Sequence, residues 1–584
     1  MVYAHRAWTD KAQELEPLRC LTPLALQSLD HPNVSEAAME FFMENLNAFP
    51  AFFTEANLES LSAVLTGAGA QRALSTLKGG NFDDEETYAF ARLLLAYGEA
   101  TVENIARGVE SASMNQITLQ LLDLLRCKGY AEIEDTICSE AVAFWQIYVE
   151  YLTDTLFQLA DNPEPAWMKG ARERLLEVIE ACWHKICMPT YQEYLNFGLD
   201  AWKEFRTFRT DARELLQSAY MLLGVDLLAK FTNLALRSLT NRAWLQLEAT
   251  LFSINSISEQ VGEGERVDQI LSELFRSTLF EDVGNAVEDI PVHTRQTTMK
   301  TIMNNAAFFE RNTTFLAPMM NFLFRSLRVP TLANTASKAI LETCSSCRKP
   351  LVPELGIFLQ QYELLVAEDE IDVFNKEKVI GAIATIIQAM STDEMRFPPL
   401  SMLMRYIETD VDDWMRFMNT SQIEEATNSG LCALRCLLSV GNALETPDDI
   451  AIDLDKESPR GSSFWSQGQG ATVQQFITRF LAQITSAMEV NGDVIETSCQ
   501  ILRAGYKELE PGPFVFPLEI SVRFILSTTL RTARLDYVLD TARAMLSKQS
   551  INSEAQLQGT AHLCLNHLIQ LIMAMKGNAP HVSV

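Results

Sequence analysis

Cys344 and Cys347 frame a Cys-Ser-Ser-Cys motif, the spacing used by a redox dithiol or by half of a zinc site. No second pair or following histidine pair completes it, and the surrounding pattern is helical, so the two are read as packed thiols. Cys432 and Cys436 are read in the same way. His562 and His567 share one expected helix, but a five-residue step turns them roughly 140° apart, too far to share one metal. Position 563 is Leu, so no HExxH zinc motif forms. Gly262 with Gly264, and Gly468 with Gly470, complete neither a GxGxxG nor a GxxxxGK[ST] phosphate loop. The seven histidines make no catalytic constellation, and no nucleophile elbow is present. The expectation is no enzyme, no cofactor, no catalytic residue and no metal site.

The remaining chemistry is charge. Asp83, Asp84, Glu85 and Glu86, then Glu368, Asp369 and Glu370, then Asp410, Asp412 and Asp413 form short acidic clusters read as turns before or near predicted helices. Carboxylates stabilise the positive end of a helix. The same groups are candidate contacts for a basic partner. The chain has 76 acidic and 47 basic residues, a formal charge of −29 and a pI near 4.7. That balance favours basic partners or serves solubility alone, and with no basic stripe it disfavours direct binding to DNA or other nucleic acid.

The elements that would position these groups are helices. Met299, Ile302, Met303 and Ala306 fall on one face at helical spacing, as do Leu316, Met319, Leu323 and Leu327. Val329 and Pro330 stop the second helix. A third turns Ala336, Ala339, Ile340 and Cys344 inward and ends at Lys349 and Pro350, and a fourth does so with Leu355, Phe358, Leu359 and Tyr362. From His293 to Thr331 the period is 38 residues. A helix pair of that length buries both apolar faces only by stacking on copies of itself, as repeats of roughly 40 residues do.

Helical periodicity extends over 34–48, 57–78, 85–107, 114–127, 136–160, 167–187, 209–236, 243–260, 266–280 and 295–391. It continues over 397–407, 421–442, 471–489, 494–508, 516–530, 534–547 and 553–576. The fold class expected is all-α, a right-handed α-solenoid of HEAT/ARM-type repeats, continuous over 1–584. Residues 445–470, rich in Asp, Gly and Ser, read as an acidic flexible insertion. The eleven cysteines keep no framework spacing and no signal-peptide pattern precedes them, so a reducing compartment is expected and the sequons at Asn33, Asn312 and Asn419 are incidental. Apolar runs near Tyr220–Leu228 and Leu568–Met575 are broken by Asp226 and Gln570, so no membrane insertion is expected.

Several blocks resemble the karyopherin-β nuclear transport receptors of the transportin 3 and importin 13 type. They are CSEAVAFWQIYVEYL (138–152), WLQLEATLFSINSISEQV (244–261), HTRQTTMKTIMNNAAFFERNTTFLAPMMNFL (293–323) and LANTASKAILETCSSCRKPLVPELGIFLQQYELL (332–365). The similarity covers most of 30–390 and thins beyond it. It implies a binding protein that shuttles between cytoplasm and nucleus through the nuclear pore, takes protein cargo, meets pore FG repeats and is regulated by Ran-GTP. A cytoplasmic helical-repeat scaffold is the alternative. Against that family the sequence is expected to lack N-terminal repeats, which hold Ran-GTP, and C-terminal repeats as well. No arginine-rich helix of the kind transportin 3 uses on phosphorylated Arg-Ser cargo is found, so that cargo class is not expected.

Overall fold

The computed structural model describes residues 16–577 apart from 30, 32, 109–110, 160–161, 286–289, 368–370, 447–463, 507, 509–510 and 550–553. Two compact units divide the chain, Met1–Asn304 and Asn305–Val584. Among the described residues all regular structure is helical, with a single isolated bridge between Ala131 and Asp135.

In the first unit, helices Ser35–Ala48, Glu85–Ala100, Cys138–Leu159, Leu199–Leu223, Trp244–Ile257 and Val292–Asn304 form a ladder in which each packs on its predecessor and successor. The second unit repeats the plan with Pro330–Ser346, Val373–Gln388, Ile423–Ala443, Gly492–Ala504 and Leu535–Gln549. Packing on adjacent copies is the organisation that gives a repeat protein its stability, a sum of repeat and nearest-neighbour terms.

Local sequence starts and stops these helices. Asp84, Asp372, Thr392 and Asn491 each cap a helix by accepting from the backbone N–H three residues on, at 3.1–3.3 Å. Pro330 opens its helix at the first turn, where its missing N–H is harmless. The ladder helices then bury wide faces. In Cys138–Leu159 the fully buried Phe144, Trp145 and Tyr148 stack edge to face, each aromatic contributing about 1.5–3 kcal/mol by burial. At Gly98 a Cβ would lie 2.8 Å from Phe144 Cε2, so only glycine lets Glu85–Ala100 approach that cluster.

The four helices over 295–365 bury the expected apolar sets, with two differences. Ala306 belongs to a separate short helix, Ala306–Arg311, and Met303 is half-buried. The helix carrying Cys344 ends at Ser346, before Lys349 and Pro350. Elsewhere, long expected helices are broken: 57–78 at Gly67, 85–107 at Thr101 and 209–236 at Gly224. Gly224 takes φ +59, a left-handed value that glycine adopts without a Cβ clash.

Two sequence expectations need correction. Asp410, Asp412 and Asp413 do not form a turn but lie inside the helix Asp393–Asn419, because Leu403, Ile407, Val411 and Trp414 carry a buried stripe straight past them. The far end of 445–470 is not loop: Phe464–Gln467 is helical, and Trp465 is fully buried with its ring edge-on to Phe464. The acidic part of that segment, 447–463, lies outside the described residues.

Candidate functional site

The first acidic cluster sits where Glu85–Ala100 begins. Asp84 spends one oxygen on the cap, accepting from the Thr87 N–H at 3.2 Å and from the Thr87 hydroxyl. Glu86 accepts from Ser35 Oγ of the preceding repeat at 3.1 Å. Asp83 and Glu85 are exposed and make no hydrogen bond or ion pair among the described residues. The cluster therefore both caps the helix and presents free carboxylates. Glu368, Asp369 and Glu370 lie outside the described residues.

The third cluster divides. Asp412 is exposed, and Asp413 pairs with Arg416 Nη2 at 2.8 Å one turn on. Asp410 points inward, and both its oxygens accept from Lys376 Nζ at 2.7 Å, the pair only 15% and 10% exposed. Burial raises the Asp410 pKa, and Lys376 partly offsets the rise. Burial works against the Lys376 ammonium, but Asp410 outweighs it and its pKa ends above the ordinary value. Both oxygens of Asp410 are engaged within the core.

Cys432 and Cys436 lie beside this pair, and the ligand atoms of Asp410, Cys432 and Cys436 fall within 4.8 Å of one another. The donor set suits zinc in type but not in surroundings. A cation there would sit beside the buried Lys376 ammonium, and Cys436 would have to ionise although its bond with Cys432 and burial push its pKa well up. The cluster is a satisfied core network in which Cys432 Sγ donates to Asp410 at 3.6 Å.

The Cys344–Cys347 motif is equally inert. Both residues are buried, Cys347 Sγ donates to the Ala306 carbonyl at 3.7 Å, and burial pushes the Cys347 thiol up to about 12. A thiol that stays protonated at neutral pH neither attacks disulfides nor binds metal readily. His567 rests on Thr528 while His562 is exposed, so the two face different surroundings.

Sequence reasoning missed two buried ion pairs that tie neighbouring repeats. Arg209 on Leu199–Leu223 makes a bidentate bond to Glu248 on Trp244–Ile257, with Nη2 to Oε1 at 2.9 Å. Thr297 on Val292–Asn304 donates to the same Oε1 at 2.9 Å, and Arg209 stacks 4.1 Å above the Phe252 ring. Lys185 pairs with the fully buried Asp135 and donates to the Gly129 carbonyl at 2.9 Å. The signal was a charge embedded in an apolar run, such as Glu248 between Leu247 and Ala249.

A family model described as the Transportin-3/Importin-13 third TPR domain matches residues 277–361. The importin beta-like protein kap111 of Schizosaccharomyces pombe is 23% identical over 501 residues, covering 84% of this chain and 49% of its own length. The chain is similar to karyopherin-β transport receptors over most of its length. Importin-13 of Gallus gallus is 20% identical over 514 residues, covering 86% of this chain and 51% of its own. The chain thus spans about half the length of the curated relatives it matches.

Solved structures agree on the fold. One described as importin13 in its cytosolic state superposes with a TM-score of 0.80 at 14% identity, over 98% of this chain and 64% of that one. An importin beta structure gives 0.58 at 14% identity, over 99% and 62%. The fold is an all-α helical-repeat solenoid. No helix among the described residues is long and apolar enough to cross a membrane.

Proposed function

We propose that this chain is the repeat stack of an importin-like nuclear transport receptor, that it acts by binding alone, and that its cargo is basic protein. The alignment with kap111 across 84% of the chain carries this reading. The charge of −29 supplies the complementarity for basic cargo. Asp83, Asp84, Glu85, Glu86, Asp412 and Asp413 are the proposed contacts; Glu368, Asp369 and Glu370 complete the set from sequence.

Shuttling between cytoplasm and nucleus, contact with pore FG repeats and regulation by Ran-GTP belong to the same proposal, as does one uninterrupted stack over 1–584. In a stack where each repeat touches only its neighbours, small rotations add. Two ligands that favour different curvatures then oppose each other through the population of each form.

The test is the affinity of the purified chain for a lysine-rich linker histone across a salt series. The expected result is binding that weakens steadily as salt rises, and weakens further in the variant Asp83→Lys with Glu85→Lys. Equal affinity for a neutral protein of similar size, or no dependence on salt, refutes basic cargo as the ligand class.

A further inference from the structure

The second unit holds a cleft of about 1330 Å³ between the helices Asp393–Asn419, Ala471–Ala487 and Leu518–Ser527. Small-molecule pockets run to roughly 1,000 Å³, so this cleft has room for a stretch of chain.

Its charge runs against the rest of the molecule. Arg405, Arg479 and Arg523 line it, one from each helix, against only Glu408 and Glu489. All three arginines are exposed, and none has a hydrogen-bond or ion-pair partner among the described residues. In a chain with 76 acidic and 47 basic residues, three unpaired guanidiniums facing one cleft are a local reversal of sign. Glu489, by contrast, is engaged, accepting from Thr529 Oγ1 at 2.9 Å.

The wall between these charges is mixed: Met404, Phe476 and Phe524 line it among hydroxyl-bearing residues such as Ser401, Thr478 and Thr528. Guanidinium forks recognise carboxylates bidentately, and the apolar patches of the wall can take the side chains between them while its hydroxyls meet peptide backbone.

We infer that this cleft binds an extended acidic peptide, with carboxylates on Arg405, Arg479 and Arg523 and aliphatic or aromatic side chains against the wall. Nucleic acid fits less well. Its closely spaced phosphates would meet Glu408 and Glu489 within the cleft and the net charge of −29 outside it. A peptide places discrete carboxylates and leaves N–H groups for the two glutamates. The inference stands independently of the transport reading, because it concerns a ligand of opposite charge at a different place.

The experiment is calorimetric titration of the purified chain at low salt with a short synthetic peptide alternating Asp or Glu with Leu or Phe. The same peptide with Lys for the acids, and a single-stranded DNA oligonucleotide, are titrated alongside. The acidic peptide should bind, weaken as salt rises, and lose roughly tenfold or more in affinity when Arg405→Glu, Arg479→Glu and Arg523→Glu are combined. Arg479→Gln alone should give a smaller loss in a protein of unchanged amide exchange, which keeps the test decisive if the triple variant fails to fold. Binding of the Lys peptide should not weaken on these changes. The inference is overturned by no binding of the acidic peptide, by unchanged affinity in the folded variants, or by DNA binding more tightly and losing on the same substitutions.

Discussion

Removing Arg209 should open the first unit at one defined interface. The Arg209 and Glu248 side chains are 6% and 2% exposed, so Arg209→Met leaves a carboxylate buried with Thr297 as its remaining donor. Breaking a buried pair from one side costs about 3–5 kcal/mol, most of it the uncompensated charge. The lost stacking on Phe252 adds about 0.5–2 kcal/mol. Replacing both partners, Arg209→Met with Glu248→Leu, removes both charges and leaves only the Thr297 hydroxyl without its acceptor, a penalty of about 1 kcal/mol. The double variant should therefore be more stable than either single one.

A repeat stack of this length does not unfold in one step, so a global midpoint is the wrong observable. Amide exchange read by mass spectrometry resolves the effect locally. Peptides from Leu199–Leu223, Trp244–Ile257 and Val292–Asn304 should exchange at least about three hundredfold faster in Arg209→Met and recover most of that protection in the double variant. Helices of the second unit should be unchanged. Single-variant effects that simply add in the double variant, or exchange accelerated by less than about fivefold, would show that the pair does not hold these repeats together.

Other outcomes test other parts of the account. Lys376→Met should destabilise its repeat by about 3–5 kcal/mol by stranding Asp410, seen as faster exchange in Val373–Gln388 and Asp393–Asn419. A thiol reagent on the native chain at neutral pH should label Cys20, the one exposed cysteine, rapidly and the buried Cys344, Cys347, Cys432 and Cys436 only on unfolding. A zinc chelator should leave amide exchange in Asp393–Asn419 and Ile423–Ala443 unchanged, since Lys376 already occupies Asp410; faster exchange there would reveal a metal at Asp410, Cys432 and Cys436. Asp84→Ala should loosen the start of Glu85–Ala100 by about 1 kcal/mol, read as faster exchange of its first turn.

The ladder was legible because it is written in periodicity. Leu316, Met319, Leu323 and Leu327 are all buried, as are Ala336, Ala339, Ile340 and Cys344. Helix breaks were harder to read: Gly67, Thr101 and Gly224 each bend the chain inside an apolar pattern that runs on across the break. Asp410 misled for the opposite reason. A run of acids resembles a turn, and only the phase of Ile407, Val411 and Trp414 shows that the helix continues. The partner that makes Asp410 structural, Lys376, is far away in sequence, as Glu248 is from Arg209. No local pattern encodes such pairs, and the three arginines of the cleft likewise meet only when three helices pack.

The central claim, that this chain is a transport receptor, is tested most directly by photobleaching the cytoplasmic pool of the fluorescently tagged chain in living cells and following the nuclear pool. The account predicts a steady loss of nuclear signal with enrichment at the nuclear rim, as the chain exchanges through the pores. A tagged chain that stays cytoplasmic, with no rim signal and no exchange, would contradict it and favour a static scaffold.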